Sequence, residues 1–170
     1  MSDEIFDVID LNGKLLGKTV RRGIDPLAEG EYHLAVDVIF LNAQKQLLLQ
    51  KRAACKKSHP NLWGPTGGAV QAGETAVQDL LRECAEEIGI VPDLSKTVAT
   101  FREVYHHTII ESRLIAQEIA LESLRFQESE VCDAAWLSAD EVQKLLDEEK
   151  NLPSTIAAVE KIVALVKKLP

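Results

Sequence analysis

A chain of 170 residues, 46% of them apolar and 27% charged, suits one domain with a core of its own. Its net charge of −8 argues against bulk nucleic acid or an anionic membrane as the main partner, and no apolar run approaches the roughly 20 residues that cross a bilayer. Cys55, Cys84 and Cys132 are odd in number, far apart and without metal-like spacing, and no signal-peptide pattern precedes Asp3-Glu4, so a reduced, cytoplasmic protein is expected.

In chain order, Ile5 to Ile9 and Lys14 to Val20 predict an N-terminal β-hairpin within residues 1–22, turning at Leu11-Asn12-Gly13. Residues 23–31, with Pro26 and two glycines, connect it to two longer apolar strands, His33 to Leu41 and Gln46 to Arg52, joined at Asn42-Ala43-Gln44. A loop from Ala53 to Pro65 follows. Gly64, Gly67, Gly68 and Gly73, with Pro65, then predict a constrained loop entering a helix. That helix opens on a capping box, Thr75 with Gln78, and closes at Gly89, where a left-handed residue is wanted. Val98 to His106 and Thr108 to Leu121 predict two further strands, and Ala134 to Leu137 a short one. Ser138 with Glu141 opens a second helix to about Glu149. A final helix runs from about Ser154 to Lys168, its inner stripe Ile156, Val159, Ile162, Val163 and Val166. Strands mixed with helices on both sides predict a layered α/β sandwich over residues 1–170, although periodicity leaves the strand order open.

The central helix breaks a local rule. Val77, Leu80, Leu81, Cys84 and Ile88 form its apolar stripe, while Glu83, Glu86, Glu87 and Asp79 share the arc beside it. Like charges three and four apart cost about 0.2–0.5 kcal/mol per pair. The three glutamates also lie near the C-terminus, where the helix dipole carries roughly half a negative charge. Such violations concentrate at functional sites. The simplest compensation is a bound cation, and Mg²⁺ takes oxygen ligands from a few carboxylates and substrate phosphates. A merely solvated acidic face is the plain alternative, against which the glycine-rich approach weighs. Gly68 and Gly73 have the spacing of a phosphate-binding P-loop, but Glu74-Thr75 stands where lysine is needed, so that reading fails. Glu74 and Arg82 are eight apart and meet only if the loop folds back as a staple.

Gly68-x5-Glu74-x7-Arg82-Glu83-Cys84-x-Glu86-Glu87-x-Gly89-Ile90 resembles the Nudix box of the Nudix hydrolase superfamily, G-x5-E-x7-R-E-U-x-E-E-x-G-U with U aliphatic. Every fixed position matches across residues 68–90; the soft departure is Cys84, a small buried hydrophobe at the first U. The resemblance implies an α/β/α sandwich with a mixed sheet, Mg²⁺ or Mn²⁺ as cofactor, and hydrolysis of a small-molecule diphosphate linked to another moiety. It assigns Glu83, Glu86 and Glu87 as metal ligands and carriers of the catalysis, with the backbone carbonyl of Gly67 as a further ligand. Gly68, Gly73 and Gly89 then serve the loop geometry, and Glu74 with Arg82 forms the structural pair.

Outside the box, Asp7-Val8-Ile9-Asp10-Leu11-Asn12-Gly13, Leu47-Leu48-Leu49-Gln50-Lys51-Arg52 and His59-Pro60-Asn61-Leu62-Trp63 resemble the branch that includes isopentenyl diphosphate isomerases. An isomerase is therefore the competing reading. Its cysteine position falls on Gly67 and a histidine position on Ala69, and both groups are missing. A non-catalytic binding module of the same fold is a third reading, though such modules usually lose a ligand glutamate and this chain keeps all three. The basic cluster Lys51, Arg52, Lys56 and Lys57 reads equally as a solvated strand end and loop or as a place where Arg52 or Lys57 meets substrate phosphate. Glu111 ranks ahead of Glu128 and Glu130 as an extra ligand or base, because it aligns with an acidic ligand position of the isomerases. His59, His106, His107, Trp63 and Trp136 read as structural. The loops 23–31, 53–65 and 122–131, which set substrate choice in that superfamily, match no signature, and the hairpin leaves a monomer and a homodimer equally open.

Overall fold

A computed structural model describes residues 4–169. Asp10 begins the chain's first turn by accepting from the backbone N–H of Asn12 (2.8 Å) and Lys14 (2.9 Å) with its Oδ1, which lets β1 (Ile5–Ile9) fold back on β2 (Leu15–Arg21). This hairpin is a separate two-stranded sheet. Phe6, Val8 and Val20 seal it against Leu27 and Ala69.

The main sheet is mixed. Strands β3 (His33–Leu41), β4 (Leu47–Arg52), β5 (Trp63–Gly64), β7 (Thr97–Tyr105) and β8 (Thr108–Ala116) run in the order β5-β4-β3-β8-β7. In addition β6 (Thr66–Ala69) pairs with β3, and β9 (Val131–Leu137) with β4. Only the β3–β8 pair is parallel among the described strands. The near-continuous apolar run of β3 suits a strand covered on both faces. Val36, Val38 and Phe40 face Leu80, Cys84 and Ile88 of α1 (Ala76–Glu87). Ile39 and Leu41 face Val142 of α2 (Ala139–Asp147) and Val159, Ile162 and Val163 of α3 (Ile156–Val166). The result is the expected α/β/α sandwich. Among the described residues no helix is long and apolar enough to cross a membrane.

Four sequence expectations need correction. Residues 66–69 form a strand rather than an entry loop, because their glycines let the chain lie against β3: a Cβ on Gly67 (φ 154°) would stand 2.1 Å from the Val36 carbonyl oxygen. Trp63–Gly64, read as the end of a loop, pairs with β4. Strand β8 stops at Ala116 instead of Leu121, since Gln117 turns to bond Asp93 and Val91 while the buried Ile119 covers the core from a loop. Strand β9 starts at Val131, not Ala134; its exposed Cys132 and Asp133 hide the strand pattern. Both capping boxes form as expected.

Candidate functional site

Helix α1 is fixed at both ends. Thr75 Oγ1 accepts from the Gln78 N–H (3.2 Å) and Gln78 Oε1 from the Thr75 N–H (2.9 Å), while Gly89 closes the helix at φ 74°. One face of the helix differs from expectation: Val77 is exposed and Asp79 fully buried. Asp79 is drawn inward by Arg82, whose guanidinium also bonds Glu74 (3.1 Å), Glu83 (2.6 Å) and Glu86 (3.3 Å). The Glu74–Arg82 staple therefore forms, and part of the compensation for crowded carboxylates comes from the chain itself. Burial pushes the Asp79 carboxyl up to about 7 against the pull of Arg82. Burial also opposes the charge of Arg82, yet the carboxylates around it hold its pKa above the ordinary value.

Glu87 lies outside that arginine network. It is 5% exposed, and its Oε2 accepts from Gln50 Nε2 (2.7 Å) and the Gly67 N–H (3.3 Å). Thr66 Oγ1 donates to Gln50 Oε1 (3.1 Å), which fixes which way the Gln50 amide points. Burial, with Glu83 and Glu130 nearby, pushes the Glu87 carboxyl up to about 7, although the Gln50 and Gly67 bonds pull it down. Burial likewise raises Glu83, with Arg82 opposing and Glu86 adding repulsion. Gly68 passes so close that a Cβ there would meet the Glu83 carboxylate at 2.7 Å.

Glu83, Glu86, Glu87, Gly67 and Gly68 share one polar cleft of about 300 Å³. Arg22, Arg52 and Lys56 line the same cleft, the last paired with Glu130. Of the basic residues singled out in the sequence, Arg52 lines the cleft, whereas Lys57 is exposed away from it and its neighbour Lys56 takes that place. Glu111 lines a different cavity, with Asp7, Glu74 and Arg102, and is not brought to the carboxylates.

The donor set suits a hard divalent ion: three carboxylates and the backbone at Gly67, all oxygen. The buried Glu87 and half-buried Glu83 carboxyls, both pushed up by confinement, are what a cation would relieve. Among the described residues, however, no three metal-ligating side chains converge into a ready-made cage. Glu83 and Glu86 turn to Arg82 instead, so ligation requires Glu83 to exchange a guanidinium for the ion.

Sequence reasoning missed Gln50 and Arg22, and within the basic cluster it singled out Lys57 rather than Lys56. Gln50 had a readable signal, a lone amide at the end of the run Leu47-Leu48-Leu49, and a polar group inside a buried strand has to bond something.

The NUDIX domain family pattern matches residues 31–159. An uncharacterised Nudix hydrolase of Listeria monocytogenes is 36% identical over 151 residues, spanning 88% of this chain and 89% of that one. An isopentenyl-diphosphate Δ-isomerase of Streptomyces avermitilis is 30% identical over 146 residues, covering 81% of this chain and 73% of the isomerase. A crystal structure of a Deinococcus radiodurans protein superimposes with a TM-score of 0.75 at 21% identity, over 94% of this chain and 99% of that one.

Proposed function

The chain belongs to the Nudix hydrolase family, and from that premise we propose that it hydrolyses the pyrophosphate linkage of a nucleoside diphosphate joined to another moiety, using Mg²⁺ or Mn²⁺. The observation that carries this reading is the buried Glu87 carboxylate in one cleft with Glu83, the Gly67 backbone, Arg22, Arg52 and Lys56. Glu83, Glu86, Glu87 and the Gly67 carbonyl would hold the metal. When bound, it neutralises diphosphate oxygens and lowers the pKa of the attacking water.

The chain's own groups do the rest. Gln50 and the Gly67 N–H hold Glu87 by Oε2, and Glu87 lines the cleft. Arg52 and Lys56 supply positive charge to the same cleft, where phosphate oxygens would lie. Water oxygen attacks one phosphorus, its proton passes to a carboxylate of the cleft, and the bond to the bridging oxygen breaks. The second phosphate leaves with that oxygen.

Phosphate release from a panel of organic diphosphates, with and without Mn²⁺, tests the reading. Metal-dependent release that Glu87→Gln abolishes without unfolding the protein supports it; no release from any compound rejects it. The isomerase relative favours one second reading, rearrangement of isopentenyl diphosphate. Gly67 and Ala69 stand where that reaction needs a thiol and an imidazole, so turnover of the prenyl compound without phosphate release is not expected.

A further inference from the structure

The opposite face of β3 holds a carboxylate that the hydrolytic site does not use. Asp37 interrupts the run Leu34-Ala35-Val36-Asp37-Val38-Ile39, is 5% exposed, and has no hydrogen-bond partner at Oδ1. Ser112, beside it in the β3–β8 register, is equally buried, and its Oγ is also without a partner. Leaving such groups unpaired costs free energy that an apolar pair in the same places would avoid.

Asp37 lines a cavity of about 480 Å³, a size suited to a small organic ligand. Two further buried atoms without partners, Nδ1 of His33 and Nε of Arg52, belong to side chains on the walls of the same cavity. Unpaired buried polar atoms thus gather where a polar guest could satisfy them, which distinguishes this cavity from an incidental void. The other buried carboxylate with an unpaired oxygen, Asp79, has its own cation in Arg82. The cavity also opens onto the hydrolytic cleft, because Arg22, Arg52, Gly67 and Gly68 line both. A diphosphate placed at Arg52 and Gly67 therefore directs whatever it carries toward Asp37.

We infer that this cavity receives the organic moiety of the substrate, and that the moiety bears an N–H or O–H donor which pairs with Asp37. The inference rests on the hydrolase reading and narrows it. The substrate is then a nucleoside diphosphate derivative whose base or sugar reaches the cavity floor, with Phe6, Tyr105 and Ile110 offering apolar wall to its faces. A prenyl diphosphate has no donor to offer and would seal the Asp37 carboxyl in an apolar contact. Sites built to pair with a substrate's polar group discriminate strongly against analogues that lack it.

The experiment measures binding and turnover together. ADP-ribose, UDP-glucose and isopentenyl diphosphate are titrated calorimetrically into wild type, Asp37→Asn, Asp37→Ala and Ser112→Ala, and phosphate release is assayed with Mn²⁺. Mn²⁺ affinity is measured separately on each protein. We expect a nucleotide sugar to bind more tightly than isopentenyl diphosphate. Asp37→Ala should weaken that binding by about 10- to 100-fold, the range for losing a hydrogen bond to a charged group. Ser112→Ala should weaken it less, and Mn²⁺ affinity should hold in all variants. Equal binding of a nucleotide sugar by wild type and both Asp37 variants overturns the inference. So does preference for the prenyl compound, or binding of none of the three while Mn²⁺ still binds. Failure of Mn²⁺ to bind wild type sinks the hydrolase reading itself, a different result from any of these.

Discussion

Glu87 reaches the cleft with one oxygen already committed, and Gln50 is the residue that commits it. The Gln50 amide bonds Glu87 Oε2 at 2.7 Å and is itself oriented by Thr66, so the free carboxylate oxygen has one preferred direction. Groups that orient a metal ligand from behind typically contribute a factor of about 10–100 in metal affinity or activity. Gln50→Leu should therefore weaken Mn²⁺ binding by about that factor, read by electron paramagnetic resonance of free Mn²⁺, with a smaller loss of thermal stability. An unchanged Mn²⁺ affinity would show that Gln50 only packs. His33 offers a test of a different kind. Burial lowers its pKa, as it stacks on Phe6 at 4.9 Å and bonds Thr108 through Nε2 (2.9 Å). Its folded-state pKa lies below its unfolded value near 6.5, so the unfolded chain binds the proton first as pH falls. The stability tied to neutral His33 is complete above about pH 6.5 and is lost below it. His33→Gln should thus gain on wild type in Tm between pH 7.5 and pH 5. A constant difference across that range contradicts the assignment.

At the scale of elements, α1 is the part whose stability and chemistry are hardest to separate. Arg82 joins four carboxylates of the helix and its entry loop, one of them, Asp79, with no exposure to solvent. Removing one partner of a buried ion pair leaves the other charge stranded, at about 3–5 kcal/mol. Arg82→Ala should destabilise the protein by about that amount in urea unfolding, and adding Asp79→Asn should recover much of the loss. If the double variant is no more stable than Arg82→Ala alone, the stranded carboxylate is not the cause. The helix itself was legible in the sequence because its signals are local: a capping box, a terminal glycine and apolar residues at helical spacing. The Nudix spacing also placed the three glutamates correctly on that helix. Strand β6 was not legible, because glycines carry no strand preference and only the close approach to β3 makes Gly67–Gly68 extended. Val77 and Asp79 exchanged their expected places for a similar reason. The helical wheel ranks positions by hydropathy, while the position facing Arg82 was decided by an ion pair with a residue one turn away.

For the whole molecule, the sheet works as a partition with a gap. One face of β3 packs under α1 and leads to Glu87 by way of Gln50 and Thr66; the other leads to Asp37 and the adjoining cavity. The two meet at Gly67 and Gly68, where bare backbone replaces side chains and both the cleft and the cavity are lined by the same residues. That division could not be read locally, since Gln50 and Glu87 lie 37 positions apart and meet only after β4 and α1 have packed. It also sets how the fold should respond to metal. The carboxylates of Glu83 and Glu87 share a cleft with the Gly67 backbone only when α1 is docked beside β6, so a divalent ion should bind the folded chain in preference to the unfolded one. At an ion concentration about 100 times its dissociation constant, the linkage is worth about 2.7 kcal/mol. In a domain of this size that corresponds to a rise in Tm of roughly 5–10 °C. Millimolar Mn²⁺ should produce such a shift by differential scanning calorimetry, Ca²⁺ being a useful size control, and Glu87→Gln should remove most of it. A wild-type Tm that does not move, or a Glu87→Gln protein that gains as much as wild type, would place the ion somewhere other than this cleft.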